Sequence, residues 1–216
     1  MEFFQIKLTL KHTKPPIWRR IVVAPEIRLD RLHDVLQIAM GWTNSHLYQF
    51  ETPDGYFSDP SFEVEETQSS RKATLKSVLG GPRSSIRYEY DFGDGWDHQI
   101  LLEKVVELDQ PVLAFCLGGA RSGPPEDCGG PWGYANLLTN LKDPKSPEHD
   151  SIIEWAGPEF DSEAFDIEAI NKQLGRLAPP QPKKPAQKQV AAKKSAGRGA
   201  KQPRLPGIES DLDLLR

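Results

Sequence analysis

The segment Ile86–Leu108, IRYEYDFGDGWDHQILLEKVVEL, decides the fold. Ile86, Tyr88, Tyr90 and Phe92 alternate with Arg87, Glu89 and Asp91, the period-two pattern of a strand with one buried face. Asp94-Gly95 follows, and WDHQILLEKVVEL then reads as a second strand. Alternation around Asp-Gly predicts a hairpin, because both central residues of a type I′ turn need positive φ. An antiparallel sheet is therefore the organising element.

Working outward, Phe4, Ile6, Leu8 and Leu10 alternate with Gln5, Lys7, Thr9 and Lys11, a strand that Pro15-Pro16 ends. IWRRIVVA is its expected antiparallel partner. From Asp30 the period changes: Leu32, Val35, Leu36, Ala39 and Met40 form an amphipathic stripe, with Asp30 as the expected N-cap and Gly41 as the stop. HLYQFET resumes strand character before an Asp54-Gly55 turn, residues 57–72 read as a surface loop, and TLKSVLGG reads as a short helix. After a glycine-rich segment from 117 to 133, Leu137, Leu138 and Leu141 continue a helical stripe from Tyr134, with Pro131 in its first turn. Ser146-Pro147 opens another helix, and Asp166 opens a last one that Gly175 stops. Hairpins early and helices late predict an α+β fold, helices packed on an antiparallel sheet, over residues 1–177.

From Ala178 to Arg204 the chain is mostly Pro, Gln, Ala, Lys, Gly and Arg, with no acid and no aromatic, a composition expected to stay disordered. Residues 205–216, LPGIESDLDLLR, alternate acids with Leu and Ile and read either as a short docking segment for a protein partner or as a frayed end that carries some leucines. Residues 178–216 carry nine Lys/Arg and three Asp/Glu, leaving 18 basic and 28 acidic residues in the first 177. A body that acidic repels phosphate backbones, so non-specific nucleic-acid binding would fall to residues 178–204. Two cysteines make no disulfide framework. The N-terminus has no basic stretch leading an apolar run, and no segment reaches the ~18–20 apolar residues of a membrane span. These features predict a cytoplasmic protein with no membrane partner.

Four constellations carry candidate chemistry. Asp91, Asp94 and Asp97 recur every third residue beside His98, oxygen donors of the kind a hard divalent cation takes, although hairpin geometry also accounts for Asp94-Gly95. Cys116 and Cys128, completed by His98, His46 or an acid, are a candidate zinc set, or two small hydrophobes. Cys128, ahead of Gly129-Gly130, is a candidate nucleophile with His98 as base. Trp18, Trp42, Trp96 and Trp132 stand at element ends beside charges and glycines, as at a concave site or at the ends of a small sheet. No Walker loop and no Gly-x-Ser-x-Gly elbow occurs.

PPIWRR (15–20), AMGW (39–42), HLYQF (46–50), YDFGDGWDH (90–98) and PPEDCGGPWGY (124–134) occur in that order. Together they resemble the plasmid pRiA4b ORF-3-like family, also labelled passenger proteins of insertion elements, across residues 3–175. The resemblance implies an α+β fold and assigns no reaction. Gly123 stands where family members carry a cysteine before the Pro-Pro, which removes one ligand from a three-cysteine zinc site. The reading that follows is a binding domain with an acidic, aromatic-lined recognition surface and no catalytic motif. Its expected lining is Arg19, Arg20, Trp42, His46, Asp91, Trp96, Asp97, His98, Glu126, Asp127 and Trp132. The competing readings are a mobile-element accessory that binds nucleic acid through its tail, and a metal-dependent hydrolase using Asp91, Asp97, His98 and Glu126.

Overall fold

The computed structural model describes residues 1–177; segments 178–204 and 205–216, with the disorder and docking expected of them, lie outside the described residues. Eight strands form one sheet: β1 (Glu2–Leu10), β2 (Trp18–Val23), β3 (Tyr48–Thr52), β4 (Gly55–Ser58), β5 (Thr67–Ser69), β6 (Ser85–Tyr90), β7 (Trp96–Glu107) and β8 (Ala114–Ala120). The helices are α1 (Leu29–Met40), α2 (Leu75–Val78), α3 (Gly130–Lys142), α4 (His149–Ala156) and α5 (Ile167–Leu174). Across the sheet the order is β5-β4-β3-β6-β7-β1-β2-β8. Every neighbouring pair is antiparallel except β4 with β5. The fold is α+β, as the hairpin pattern requires.

Register explains the core. Ile6 pairs with Ile21 and Leu102, Leu8 with Ile100, and Tyr88 with Phe50 and His98, so these side chains share one face. All of them are buried, and α1 lays Leu32, Val35, Leu36 and Ala39 into the same cluster. Burying each large side chain stabilises the fold by about 1.5–3 kcal/mol. The opposite face is charged and self-paired: Arg87 reaches Asp97 at 2.7 Å and Glu51 at 3.1 Å, and Arg20 reaches Glu103 at 2.7 Å. At the β8 edge, Asn171 of α5 accepts the Cys116 N–H at 2.7 Å and donates to the Cys116 carbonyl at 2.9 Å.

Four local readings change. Tyr90 pairs with Trp96, so the hairpin loop is Asp91–Gly95 rather than a two-residue turn at Asp94-Gly95. Asp91 itself takes positive φ (57°) and its backbone carbonyl accepts the Gly95 N–H at 2.6 Å, which closes the longer loop. Asp30 lies inside the first turn of α1, whose N-cap is Arg28 with no side-chain cap; Asp30 instead holds Arg28 at 2.7 Å. Residues 57–72 include β4, a 3-10 turn and the parallel strand β5. The glycine-rich stretch contributes β8, whose three small residues Gly118, Gly119 and Ala120 hide a strand from pattern reading. By contrast, Gly41 ends α1 at φ 82° and Asp166 caps α5 through the Ala169 N–H, both as expected.

Candidate functional site

Six strand termini meet at one end of the sheet. The pairs Leu10–His98, Trp18–Ala120, Tyr90–Trp96 and Tyr48–Tyr90 place the ends of β1, β6 and β8 beside the starts of β2, β3 and β7. Three loops gather there: 41–47 after α1, 91–95 inside the hairpin, and 121–129 ahead of α3. They are locked together by polar contacts. Trp42 Nε1 donates to the Pro124 carbonyl at 2.9 Å, and the Gly129 N–H donates to Asp94 at 3.2 Å. A Cβ on Gly130 would lie 2.2 Å from the Asp94 carbonyl, so only glycine allows α3 to start so close to the hairpin.

Loop 41–47 rests on a buried polar network. His33 Nε2 meets Asn44 Oδ1 at 2.6 Å and Nδ1 meets the Tyr88 hydroxyl at 2.8 Å, while Gln37 Nε2 donates to that hydroxyl at 3.0 Å. The Asn44 N–H donates back to Gln37 Oε1 at 3.0 Å. Asn44 Oδ1 can only accept, so Nε2 carries the imidazole proton of the neutral ring, and the Tyr88 hydroxyl donates to His33 Nδ1. Burial pushes the His33 pKa down to about 4, which keeps the ring neutral as this network needs.

Glu126 ties the loops to the sheet. Its carboxylate accepts from the Tyr90 hydroxyl at 2.5 Å, from the Thr43 N–H at 3.2 Å and from the Thr43 hydroxyl, and the Ser45 N–H donates to the same Tyr90 oxygen at 3.0 Å. Burial alone would raise its pKa, but the donors from Thr43 and Tyr90 outweigh burial and hold the group below its usual range. Tyr90 also stacks on Trp42, with ring centroids 4.9 Å apart.

Beside this tether, His46, Asp91 and Asp127 converge, one ligand-type atom from each lying within 4.8 Å of the others. His46 Nδ1 is 3.7 Å from Asp91 Oδ2, and Nε2 is 3.3 Å from Asp127 Oδ1. Asp91 is only 7% exposed. Its Oδ1 accepts the Gly93 and Asp94 N–H groups at 3.0 and 3.3 Å. Both aspartates hold left-handed backbone, φ 57° and 59°, a conformation that costs a non-glycine residue about 1–2 kcal/mol.

On the other side of Trp42 lies a cleft of about 400 Å³, lined by Arg19, Met40, Trp42, segment 122–126, Phe160, Phe165 and Ile170 among others. Arg19 is 2% exposed. Its Nε donates to the Ala39 carbonyl at 2.7 Å, and Nη1 donates to the Trp18 and Ala120 carbonyls at 2.9 and 3.0 Å. Phe165 covers the guanidinium at 5.0 Å. Among the described residues, Arg19 forms no ion pair and its Nη2 makes no hydrogen bond.

The residues singled out from sequence therefore divide. Trp42, His46, Asp91, Glu126 and Asp127 gather at the loops, and Arg19 with Trp42 and Glu126 lines the cleft. Arg20 and Asp97 face the opposite side of the sheet in ion pairs. Trp96 and His98 are wholly buried in the core. His98 Nδ1 donates to the Trp96 carbonyl at 3.0 Å, and burial lowers its pKa to about 4. Trp132, 89% exposed, projects from the first turn of α3. His98, Cys116 and Cys128 form no ligand group among the described residues. Burial raises the Cys116 thiol, and burial with the Asp94 and Asp127 charges raises Cys128 to about 12, so neither is a ready thiolate at neutral pH.

Sequence reading missed His33, Gln37, Thr43, Asn44, Ser45 and Tyr90. The available signal was His33 and Gln37 one helical turn apart on the inward side of α1, polar residues where core was due. Among the described residues no helix is long and apolar enough to cross a membrane.

Comparison with known proteins places this architecture. The chain is 42% identical over 180 residues to the uncharacterized protein y4hQ of Sinorhizobium fredii (strain NBRC 101917 / NGR234), covering 81% of this chain and 91% of that one. It is also similar to the crystal structure of the protein of unknown function MM3350 from Methanosarcina mazei Go1. That match has a TM-score of 0.70 and 33% identity, over 77% of this chain and 96% of that one. Residues 2–169 match the family described as plasmid pRiA4b ORF-3-like protein. With its five motifs in order and its α+β sheet, the chain belongs to the plasmid pRiA4b ORF-3-like family.

Proposed function

We propose that the domain is a binding module whose recognition site is this loop-bearing end of the sheet, and that its cleft takes a small organic carboxylate. The carboxylate end meets Arg19, and the apolar body lies against Met40, Trp42, Phe160 and Ile170. Arg19 is the observation that carries this reading. Buried charges are ordinarily paired, because an unpaired ion in a dry interior is costly. Arg19 has three carbonyl acceptors, one at the end of α1, but no carboxylate, and its Nη2 is unspent at the cleft. Desolvation pulls its pKa down to about 10, so it stays charged at neutral pH. Two acids also line the cleft and are already engaged: Glu126 with Tyr90 and Thr43, and Asp166 with the α5 N-terminus.

The test is a two-dimensional amide NMR titration of the full chain with benzoate, benzamide and benzylamine. Benzoate is expected to shift the signals of Met40–Trp42 and Ala164–Ile170 and to bind about tenfold tighter than the other two, the worth of one charge-assisted hydrogen bond. Ala169→Trp, which fills the cleft and leaves Arg19 in place, should abolish the response. Equal responses to all three compounds, or none at millimolar concentration, would overturn the reading.

A further inference from the structure

A second site lies across the Trp42–Glu126 wall and does not depend on the cleft. We propose that His46, Asp91 and Asp127 bind a divalent transition-metal ion.

Three observations carry it. The three side chains come from three different loops and still bring one donor atom each within 4.8 Å of the others. Asp91 is buried, its Oδ1 is spent on two backbone amides, and its Oδ2 accepts no hydrogen bond. That oxygen is left free to meet a cation between the loops. His46 Nε2 is occluded and without a hydrogen-bond partner, which is unfavourable for a polar atom unless a cation or donor faces it.

The imidazole sharpens the point. Both of its ring nitrogens face carboxylate oxygens, at 3.7 and 3.3 Å. A cation seated among the three side chains would take one ring nitrogen and one carboxylate oxygen from each aspartate. One nitrogen and two carboxylate oxygens make a mixed donor set that suits Mn²⁺, Co²⁺ or Zn²⁺ better than Ca²⁺, which takes six to eight oxygens. Donor atoms about 2.0–2.2 Å from one ion stand roughly 3–3.5 Å apart, so the cluster needs to contract by about 1 Å. The amides on Asp91 Oδ1 fix that carboxylate's orientation, the outer support that metal ligands ordinarily have. Asp127, 73% exposed in its side chain, leaves an entry path and room for solvent ligands.

Calorimetric and spectroscopic titration of the full chain with Co²⁺, Mn²⁺ and Zn²⁺ tests this. One ion per chain is expected, with Mn²⁺ broadening the amide signals of residues 43–47, 91–95 and 126–129. Asp91→Asn keeps the Oδ1 acceptor and tolerates the left-handed backbone, and Asp127→Asn changes an exposed residue; each should weaken binding about 10- to 100-fold. Asp97→Asn, on the opposite face, should bind as the wild type does. Absence of saturable one-to-one binding for all three ions, or wild-type affinity in both Asn variants, would overturn the proposal. The benzoate titration reports on different residues, so either site can fail without the other.

Discussion

Acidification to about pH 5 is expected to remove roughly 4 kcal/mol of stability, through two imidazoles that are buried neutral. His33 and His98 both have pKa values lowered from 6.5 to about 4, chiefly by burial. For His33 the Asn44 hydrogen bond and the Asp59 and Asp30 charges pull the other way; for His98 the Tyr88 and Trp96 carbonyls and Asp97 do, while Arg19 adds to the lowering. Below pH 6.5 the unfolded chain binds protons that the folded chain refuses, so stability falls as pH falls, and the loss levels off only below about pH 4. At about pH 5 each group costs roughly 2 kcal/mol, and above about pH 7.5 neither costs anything. Against a domain stability of about 5–15 kcal/mol, that is a large fraction. Glu103, held at about 2 by its Arg20 hydrogen bond, weakens the fold only below its ordinary range and leaves this window clear.

The assay is urea unfolding followed by tryptophan fluorescence across this range. His98→Gln is expected to be less stable throughout and to lose about half of the pH-dependent difference, the two histidines contributing equally. A flat profile between pH 7.5 and 5, or an unchanged slope after substitution of both histidines, would refute the reasoning.

Two further substitutions probe how the loops are held. Gly133→Ala would stabilise an isolated helix by about 1 kcal/mol. Here the new Cβ falls 1.8 Å from the Cys128 carbonyl, so the change is expected to destabilise the protein by about 2 kcal/mol or more in the same assay. Tyr90→Phe deletes the hydroxyl that donates to Glu126 and accepts from Ser45. Its expected cost is about 1–3 kcal/mol, with faster amide hydrogen exchange in residues 43–46.

What could be read from the chain follows from the range of the interactions. Alternation in Ile86–Tyr90 and Trp96–Leu102, and the stripe from Leu32 to Met40, are local signals of which side faces the core, and they yield the sheet and α1. The turn at 91–95 was placed but mistyped, because its geometry depends on Asp91 choosing left-handed backbone to bond its own loop. β8 lacked alternation and is defined by its pairing with β2, far earlier in the chain. For the site, His46, Asp91, Glu126 and Asp127 were visible as polar residues in glycine- and aromatic-rich stretches. Their division into a tether, a His–Asp–Asp group and an Arg19 cleft was not, since it depends on contacts between residues far apart in the chain, 83 positions for Thr43 and Glu126 and 101 for Arg19 and Ala120. His98 shows the converse: a reactive side chain in a suggestive motif whose place in the strand register commits it to the core.

The paired amide contacts between Asn171 and Cys116 have a consequence for association between chains. An open sheet ends in a strand whose outward N–H and C=O groups can template another chain. On β8 that hazard sits beside Phe115 and Leu117, both nearly half exposed. A carboxamide presents one acceptor and one donor in the spacing of a peptide group, so Asn171 occupies a place that a foreign strand would need. Any chain adding to this edge has first to break both bonds and lift α5 away, and aspartate at the same position could offer no donor to replace them.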